Sequence, residues 1–239
     1  MPDVVLLGPA GCGKSALTGA LAHKLRRHHR VLTVNLDPGV LRLPYLPDYD
    51  VRDIVTIPRL MREEGLGPNG ALVRAMEIIV RRLRVPKRGH TYRIVDTPGQ
   101  LEIFAFTPYG PAILRKLEDP IAVFIIDGTL RPRDLPVFYL LALATRIRLA
   151  VPTILVVNKA DLLDDRERKR LLNYLTNPKL LKRIRVSGLI ADMYHEVCDL
   201  LATLVPAQRI PLVSAITGEG LDELCDLLHE VYCVCGDLT

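Results

Sequence analysis

The sequence predicts an α/β fold, a three-layer sandwich in which a mainly parallel sheet lies between helices and carries helical insertions. Three observations lead there. Short β-branched runs, apolar on both faces, recur along the 239-residue chain, as strands covered on both sides require. Segments with apolar residues at helical spacing separate those runs. Polar motifs with phosphate, metal or base chemistry follow four of the runs directly.

The strands are expected at Asp3–Leu7, Val31–Leu36, Tyr92–Val95, Ala122–Ile126, Thr153–Val157 and Ile210–Val213. Helices are expected over Lys14–His28, Gly70–Leu83, Leu135–Arg148 and Gly220–Val231. Segment 38–69 begins rich in Pro and Asp and then turns helical, the pattern of irregular functional loops. Segment 164–206 is helical in pattern, with apolar residues spaced along Leu189, Met193, Val197, Leu200, Leu201 and Leu204. It is longer than one crossover helix needs, so it reads as a helical insertion within a single domain spanning 1–239.

Composition narrows the class. The chain is 49% hydrophobic and 25% charged, an ordinary globular balance. Its mean hydropathy of +0.20 is slightly apolar. Yet the longest apolar stretch, Val137–Ala144, falls far short of the roughly 20 residues a spanning helix needs. Met1–Leu7 lacks the basic start of a signal peptide and runs straight into a motif, so a soluble cytoplasmic protein without a membrane partner is expected. A net charge of +5 permits an acidic partner, but the basic residues are scattered along the sequence. Arg26-Arg27-His28-His29-Arg30 ends an expected helix, where cations favour the negative end of the dipole. Aromatics are 5% and Trp is absent, which disfavours base-stacking platforms and nucleic acid as a partner. Five cysteines are an odd count, the mark of reduced thiols. Cys233 and Cys235 form a CxC, and Cys198 and Cys225 could supply further thiolates, but the paired spacings of a zinc site are missing.

The chemistry lies in the motifs. Gly8-Pro9-Ala10-Gly11-Cys12-Gly13-Lys14-Ser15 matches the phosphate-binding loop of P-loop NTPases, and it joins an expected strand to an expected helix. Backbone N–H groups of Gly11, Cys12, Gly13 and the following residues through Ala16 can cradle phosphate oxygens at the helix N-terminus. Lys14 is expected to reach the β- and γ-phosphates, and the Ser15 hydroxyl to ligate Mg²⁺. Asp96-Thr97-Pro98-Gly99-Gln100 closes another strand. There Asp96 can hold Mg²⁺, Gly99 N–H can sense the γ-phosphate, and Gln100 or Glu102 can orient the attacking water. Asp37, in Leu36-Asp37-Pro38 after the second strand, can contact the Mg²⁺ shell or that water; the plainer alternative is a helix or turn cap before Pro.

Asn158-Lys159-Ala160-Asp161 matches NKxD. The Asp161 carboxylate can accept from both N1–H and the exocyclic amine of guanine, a donor pair adenine does not offer. Asn158 would brace neighbouring loops, the Lys159 stem would cover the base, and the Ser214-Ala215 backbone would meet guanine O6. These motifs together specify GTP, with GDP as product. Pro47-Asp48-Tyr49-Asp50-Val51-Arg52-Asp53 is less telling, since Asp50 can simply cap a following helix. Gly67-Pro68-Asn69-Gly70, taken locally, is a stiff and projecting turn.

With these residues together, the chain resembles the GPN-loop GTPases. The resemblance rests on GPAGCGKS, NLDPG, PDYDVRD, GLGPNG, DTPGQLEIF, NKAD and VSA and runs through nearly the whole chain; the length is similar to that of archaeal-type members. It implies a homodimeric, Mg²⁺-dependent GTPase in which the loop at Gly67, Pro68 and Asn69 reaches the partner's active site. It places the chain among nucleotide-dependent dimers related to signal-recognition GTPases and MinD-like ATPases. It also assigns water positioning to Gln100 and Glu102, and implies a protein client, RNA polymerase assembly being the case for eukaryotic relatives. Two other classes stay open at this level. One is a slow nucleotide-gated clamp in which segment 164–206 acts as a mobile lid and hydrolysis only resets client binding. The other is a metallochaperone GTPase, although the scattered histidines and missing CxxC pair do not favour it.

Overall fold

The computed structural model describes residues 2–85, 91–188, 190–204 and 209–236, with side chains described as far as Cys233. β1 (Asp3–Leu7) feeds the glycine-rich turn and α1 (Lys14–Leu25), and β2 (Val31–Asn35) and the short β3 (Tyr49–Asp50) follow. A helical hairpin comes next, α2 (Ile57–Glu64) packed on α3 (Pro68–Arg82). Then come β4 (Tyr92–Asp96), α4 (Leu101–Ala105), α5 (Tyr109–Leu114), β5 (Ile121–Asp127), α6 (Leu135–Leu149) and β6 (Thr153–Asn158). Beyond β6 lie α7 (Asp165–Thr176), a 3-10 stretch at Pro178–Arg183, α8 (Ala191–Leu204) and α9 (Leu221–Gly236).

Among the described residues six strands form one sheet in the order β3-β2-β4-β1-β5-β6, and every pairing is parallel. Alternation along each strand divides the core in two. Val5, Leu7, Val95 and Phe124 face a cluster built with α3, α5, α6 and the insertion helices. Val4, Leu6, Ile94 and Val123 face a second cluster built with α1 and α9. A sheet covered on both faces is the three-layer arrangement that the doubly apolar strands require. Because all strands run the same way, the turns after β1, β2, β4, β5 and β6 emerge at one edge. At the opposite edge Arg93 and Asp3 form a fully buried ion pair, Nε to Oδ1 at 2.9 Å.

Three local expectations are corrected. Ile210–Val213 is not a full strand: only Leu212 bridges to Val157. Val157 N–H donates to Pro211 at 2.9 Å and Val213 N–H to Val157 at 2.7 Å, but Pro211 has no N–H with which to extend the ladder. The first helix ends at Leu25, and His28 and His29 fold back by donating their N–H groups to the Leu25 carbonyl. Gly67-Pro68-Asn69 is not a free-standing loop. Gly67 is the N-cap of α3 and Pro68 its first residue, the position where a fixed φ and a missing N–H are tolerated best.

Candidate active site

The phosphate loop has a backbone that only glycine accommodates. Gly8 has φ +146, and a Cβ there would lie 2.7 Å from the Ile125 carbonyl oxygen; at Gly13, φ +93, it would lie 2.4 Å from Asn158 Nδ2. Lys14 is buried and its Nζ donates to the carbonyls of Gly8 at 2.8 Å and Pro9 at 3.1 Å. The ammonium is thereby folded onto the loop it is expected to serve. Cys12 lies within the second core cluster, and burial pushes its thiol up from the ordinary cysteine range.

The carboxylates stand beside this loop because of strand register. Asp96 pairs with Leu6 on one side and with Asn35 on the other. Its side chain is fully buried, and desolvation pushes its pKa up to about 6 against the opposing pull of the Ser15 and Tyr45 hydroxyls. Tyr45 Oη donates to Asp96 Oδ2 at 3.1 Å, whereas buried Oδ1 has no hydrogen-bond partner among the described residues. An orphaned carboxylate oxygen beside a serine hydroxyl is what a hard cation with oxygen ligands fits. Asp37 is also raised by burial, while the backbone N–H groups of Gly39 and Gly99 hold it down. Gly39 N donates to Asp37 Oδ1 at 2.8 Å, so Asp37 does cap its own turn, and it also draws the Gly99 N–H from the DTPG turn. Gln100 and Glu102 flank the start of α4, and both side chains are exposed.

Asn158 joins the phosphate loop to the base-binding end. Its Nδ2 donates to the Cys12 carbonyl at 3.0 Å, and its Oδ1 accepts from Ala215 N at 3.2 Å. Lys159 sits in a left-handed conformation, φ 67, and its Nζ reaches Asp127 Oδ2 at 2.6 Å. The Ser214 hydroxyl donates to Asp161 Oδ1 and accepts from Ile216 N at 3.2 Å and Thr217 N at 3.1 Å. The NKAD and VSA turns thus support each other, and Asp161 is exposed at their junction. Asn69 is exposed, and its side chain makes no hydrogen bond among the described residues.

Several contributors escaped the sequence reading. Tyr45 is one, carried by the loop between β2 and β3. That loop is tied down by PDYDVRD, whose Asp50 does more than cap. Asp50 accepts from Arg52 through both carboxylate oxygens and from Asn35 Nδ2 at 2.9 Å. Arg52 in turn donates to the carbonyl of Val40 at 3.2 Å, and Asn35 Oδ1 accepts from Asp37 N at 3.0 Å. Asp48 takes the Thr33 N–H at 2.8 Å and the Arg26 guanidinium at 2.9 Å, which gives the basic helix end one acidic neighbour. Asp127 was detectable, since Asp-Gly-Thr after a strand repeats the logic of the DTPG turn. Arg168 was not: it clamps Glu219 from α7 and donates to the Ala160 carbonyl at 2.7 Å.

Comparison with known proteins agrees with this geometry. A family model described as a conserved hypothetical ATP binding protein matches residues 6–234. GPN-loop GTPase PAB0955 of Pyrococcus abyssi is 38% identical, with 99% of each chain covered. GPN-loop GTPase 3 of Kluyveromyces lactis is 31% identical over 95% of this chain and 90% of its own. The crystal structure of the Pyrococcus abyssi GTPase in its apo form superposes with a TM-score of 0.87 at 35% identity, covering 98% of both chains. The chain is therefore a GTP-hydrolysing enzyme and belongs to the GPN-loop GTPase family.

Proposed function

We propose that this GTPase is Mg²⁺-dependent and works as a nucleotide-switched homodimer, each subunit supplying its GPN motif to the other's site. In this reading chain 1–239 is one GTP-binding domain with 164–206 as an insertion, and it serves the assembly of a protein complex. The observation that carries the reading is Asn69. It is an exposed polar side chain without a hydrogen-bond partner among the described residues, at the proline-stiffened start of α3. Such a group gains hydrogen bonds on docking with little order to lose.

The chain's own residues divide the work. Loop N–H groups from Gly11 to Ala16 bind phosphate oxygens, and Lys14 leaves the Gly8 and Pro9 carbonyls to place its charge on them. Ser15, Asp96 and Asp37 would hold Mg²⁺, which neutralises charge on the phosphate oxygens. Gln100, Glu102 or Asp37 orients the attacking water, and Asn69 from the partner subunit donates amide hydrogen bonds while excluding bulk solvent. Asp161 selects guanine, with Asn158, Lys159, Ser214 and Ala215 framing the base.

Mixing Asn69→Ala protein with Lys14→Ala protein tests the arrangement in trans. Each is expected to be inactive alone. In the mixed dimer one site combines an intact phosphate loop with an intact partner motif, so up to about half of the normal per-dimer turnover should return. No recovery in mixed dimers shown to form would place Asn69 in cis or outside catalysis.

The clamp reading also draws support. A groove of about 500 Å³ between α6 and α8 is lined by Val137, Leu140, Ile190, Met193 and Val197, and the insertion exposes further apolar side chains at Leu200 and Leu204. Leu189 lies outside the described residues. If the insertion is a nucleotide-gated lid, amide exchange in α8 should differ between GDP and a non-hydrolysable GTP analogue; equal protection in both states would remove it. Among the described residues no group of three or more His, Cys, Asp or Glu side chains is placed to hold a metal ion. The Cys233 thiol lies 3.7 Å from His229 Nε2, and the Cys235 side chain is outside the described ones. No helix among the described residues is long and apolar enough to cross a membrane.

A further inference from the structure

The basic residues form no single long run, yet the net positive charge of the chain is concentrated in one segment. Residues 164–187 hold eight Lys and Arg against three Asp and Glu, which equals the entire +5 excess of the chain; the other 24 basic residues are matched by 24 acidic ones. Of the three acids, Asp164 and Glu167 bond to backbone N–H groups in the capping box that starts α7. Of the eight cations, Arg168 is paired with Glu219 and Lys182 with Asp199. Arg166, Lys169, Arg170 and Arg183 make no ion pair with any described residue, all four are exposed, and all four line one cavity of about 380 Å³. Asn173, Tyr174 and Leu180 complete its wall.

Four unpaired cations around one concavity repel one another, and an anion that enters relieves the repulsion. Three of the four are arginines, whose planar forks donate to carboxylates or phosphates in bidentate fashion. Two features favour a protein over a nucleic acid. The cavity wall includes the apolar body of Leu180. The 3-10 stretch after α7 also leads within a few residues to Arg185, Val186 and Ser187, which line the apolar groove beside α6 and α8. A sugar–phosphate backbone has nothing to place there, whereas a protein segment with acidic and apolar side chains can use both surfaces.

We propose that the cavity formed by Arg166, Lys169, Arg170 and Arg183 is a docking site for an acidic, partly apolar segment of a partner protein. The site lies outside the hydrolytic machinery, so it stands or falls independently of the dimer reading. The test uses the full chain with GDP and a fluorescent 14-residue peptide carrying Glu on one helical face and Leu on the other. Two further probes are the same peptide with Lys in place of Glu and a 14-nucleotide single-stranded RNA.

The acidic peptide should bind with an affinity that falls as salt rises, and the Lys peptide should not bind. Reversing two charges, Arg166→Glu with Arg170→Glu, should weaken the acidic peptide at least about tenfold. GTP turnover and the thermal midpoint should not change. Arg166→Gln with Arg170→Gln, which removes charge without reversing it, should fall between. Three outcomes overturn the proposal: no binding of the acidic peptide, equal binding by the reversed protein, or displacement of the peptide by lower concentrations of the RNA. Loss of a dimer on charge reversal would likewise overturn it, because the face would then join copies of this chain.

Discussion

The edge of the sheet that carries the nucleotide motifs and the insertion that follows β6 are built on opposite terms. At the edge, polar side chains are buried and bonded to one another across loops: Asn158 links Cys12 to Ala215, and Asn35 links Asp37 to Asp50. In the insertion one helix face is anchored by Cys198 and Leu201, and the rest of α8 leaves Met193, Leu200 and Leu204 about half exposed. The edge is specified by hydrogen-bond geometry, which tolerates little change. The insertion is specified by a few buried contacts and keeps apolar surface to spare, which a protein interaction can use.

The largest expected effect tests the edge. Asp161→Asn keeps an oxygen able to accept from the Ser214 hydroxyl, so the fold should survive. The residue can no longer accept from both guanine donors, and leaving one such donor unmatched is expected to lower GTP affinity at least about a hundredfold. Affinity for xanthosine triphosphate, whose 2-oxo group accepts a hydrogen bond, should rise. Equal affinities of the unaltered protein for ATP and GTP would break the assignment of Asp161.

Next in size is a pair of substitutions one residue apart in α8. Leu201 is 0% exposed and Leu200 48% exposed. Leu201→Ala should cost about 3 kcal/mol of unfolding free energy through the cavity left behind, and Leu200→Ala less than about 0.5 kcal/mol. Denaturant titration measures both. Equal costs would mean that α8 is not anchored by that face.

The last effect concerns Asp96 and is a matter of pH. Its pKa is raised from 3.8 to about 6 in the folded protein, so the native state binds this proton more tightly than the unfolded chain. Stability from this group is therefore lost as pH rises from about 4 to about 6, and the full cost persists above that window. In nucleotide-free and Mg²⁺-free protein, Asp96→Asn should then stabilise by up to about 3 kcal/mol at pH 7.5 and by much less near pH 4. A gain of the same size at both pH values would show that desolvation of the charge is not its cause.

The tertiary structure corrected the sequence reading where the partner of a residue is distant. Asp50 reads locally as a cap, and it is one, but Arg52 and Asn35 also hold it, and through them the loop bearing Tyr45. Asp161 and Lys159 were readable as base contacts, whereas their bonds to Ser214 and Asp127 join turns that are far apart in the chain. GPN reads as a turn because Gly, Pro and Asn are turn residues; as the start of α3 it obeys the same φ preferences in a helix.

By itself, then, the sequence determined the layered α/β fold and the chemistry of the nucleotide motifs. Both are local: strand periodicity and the phosphate-loop, DTPG and NKAD turns depend on residues within a few positions of one another. Only the tertiary structure decided which carboxylate oxygen was left unpartnered, which arginines were left unpaired, and that one cavity holds four cations. Those properties are differences between what a group needs and what its neighbours in space provide, and the neighbours come from strands and helices brought together only by packing.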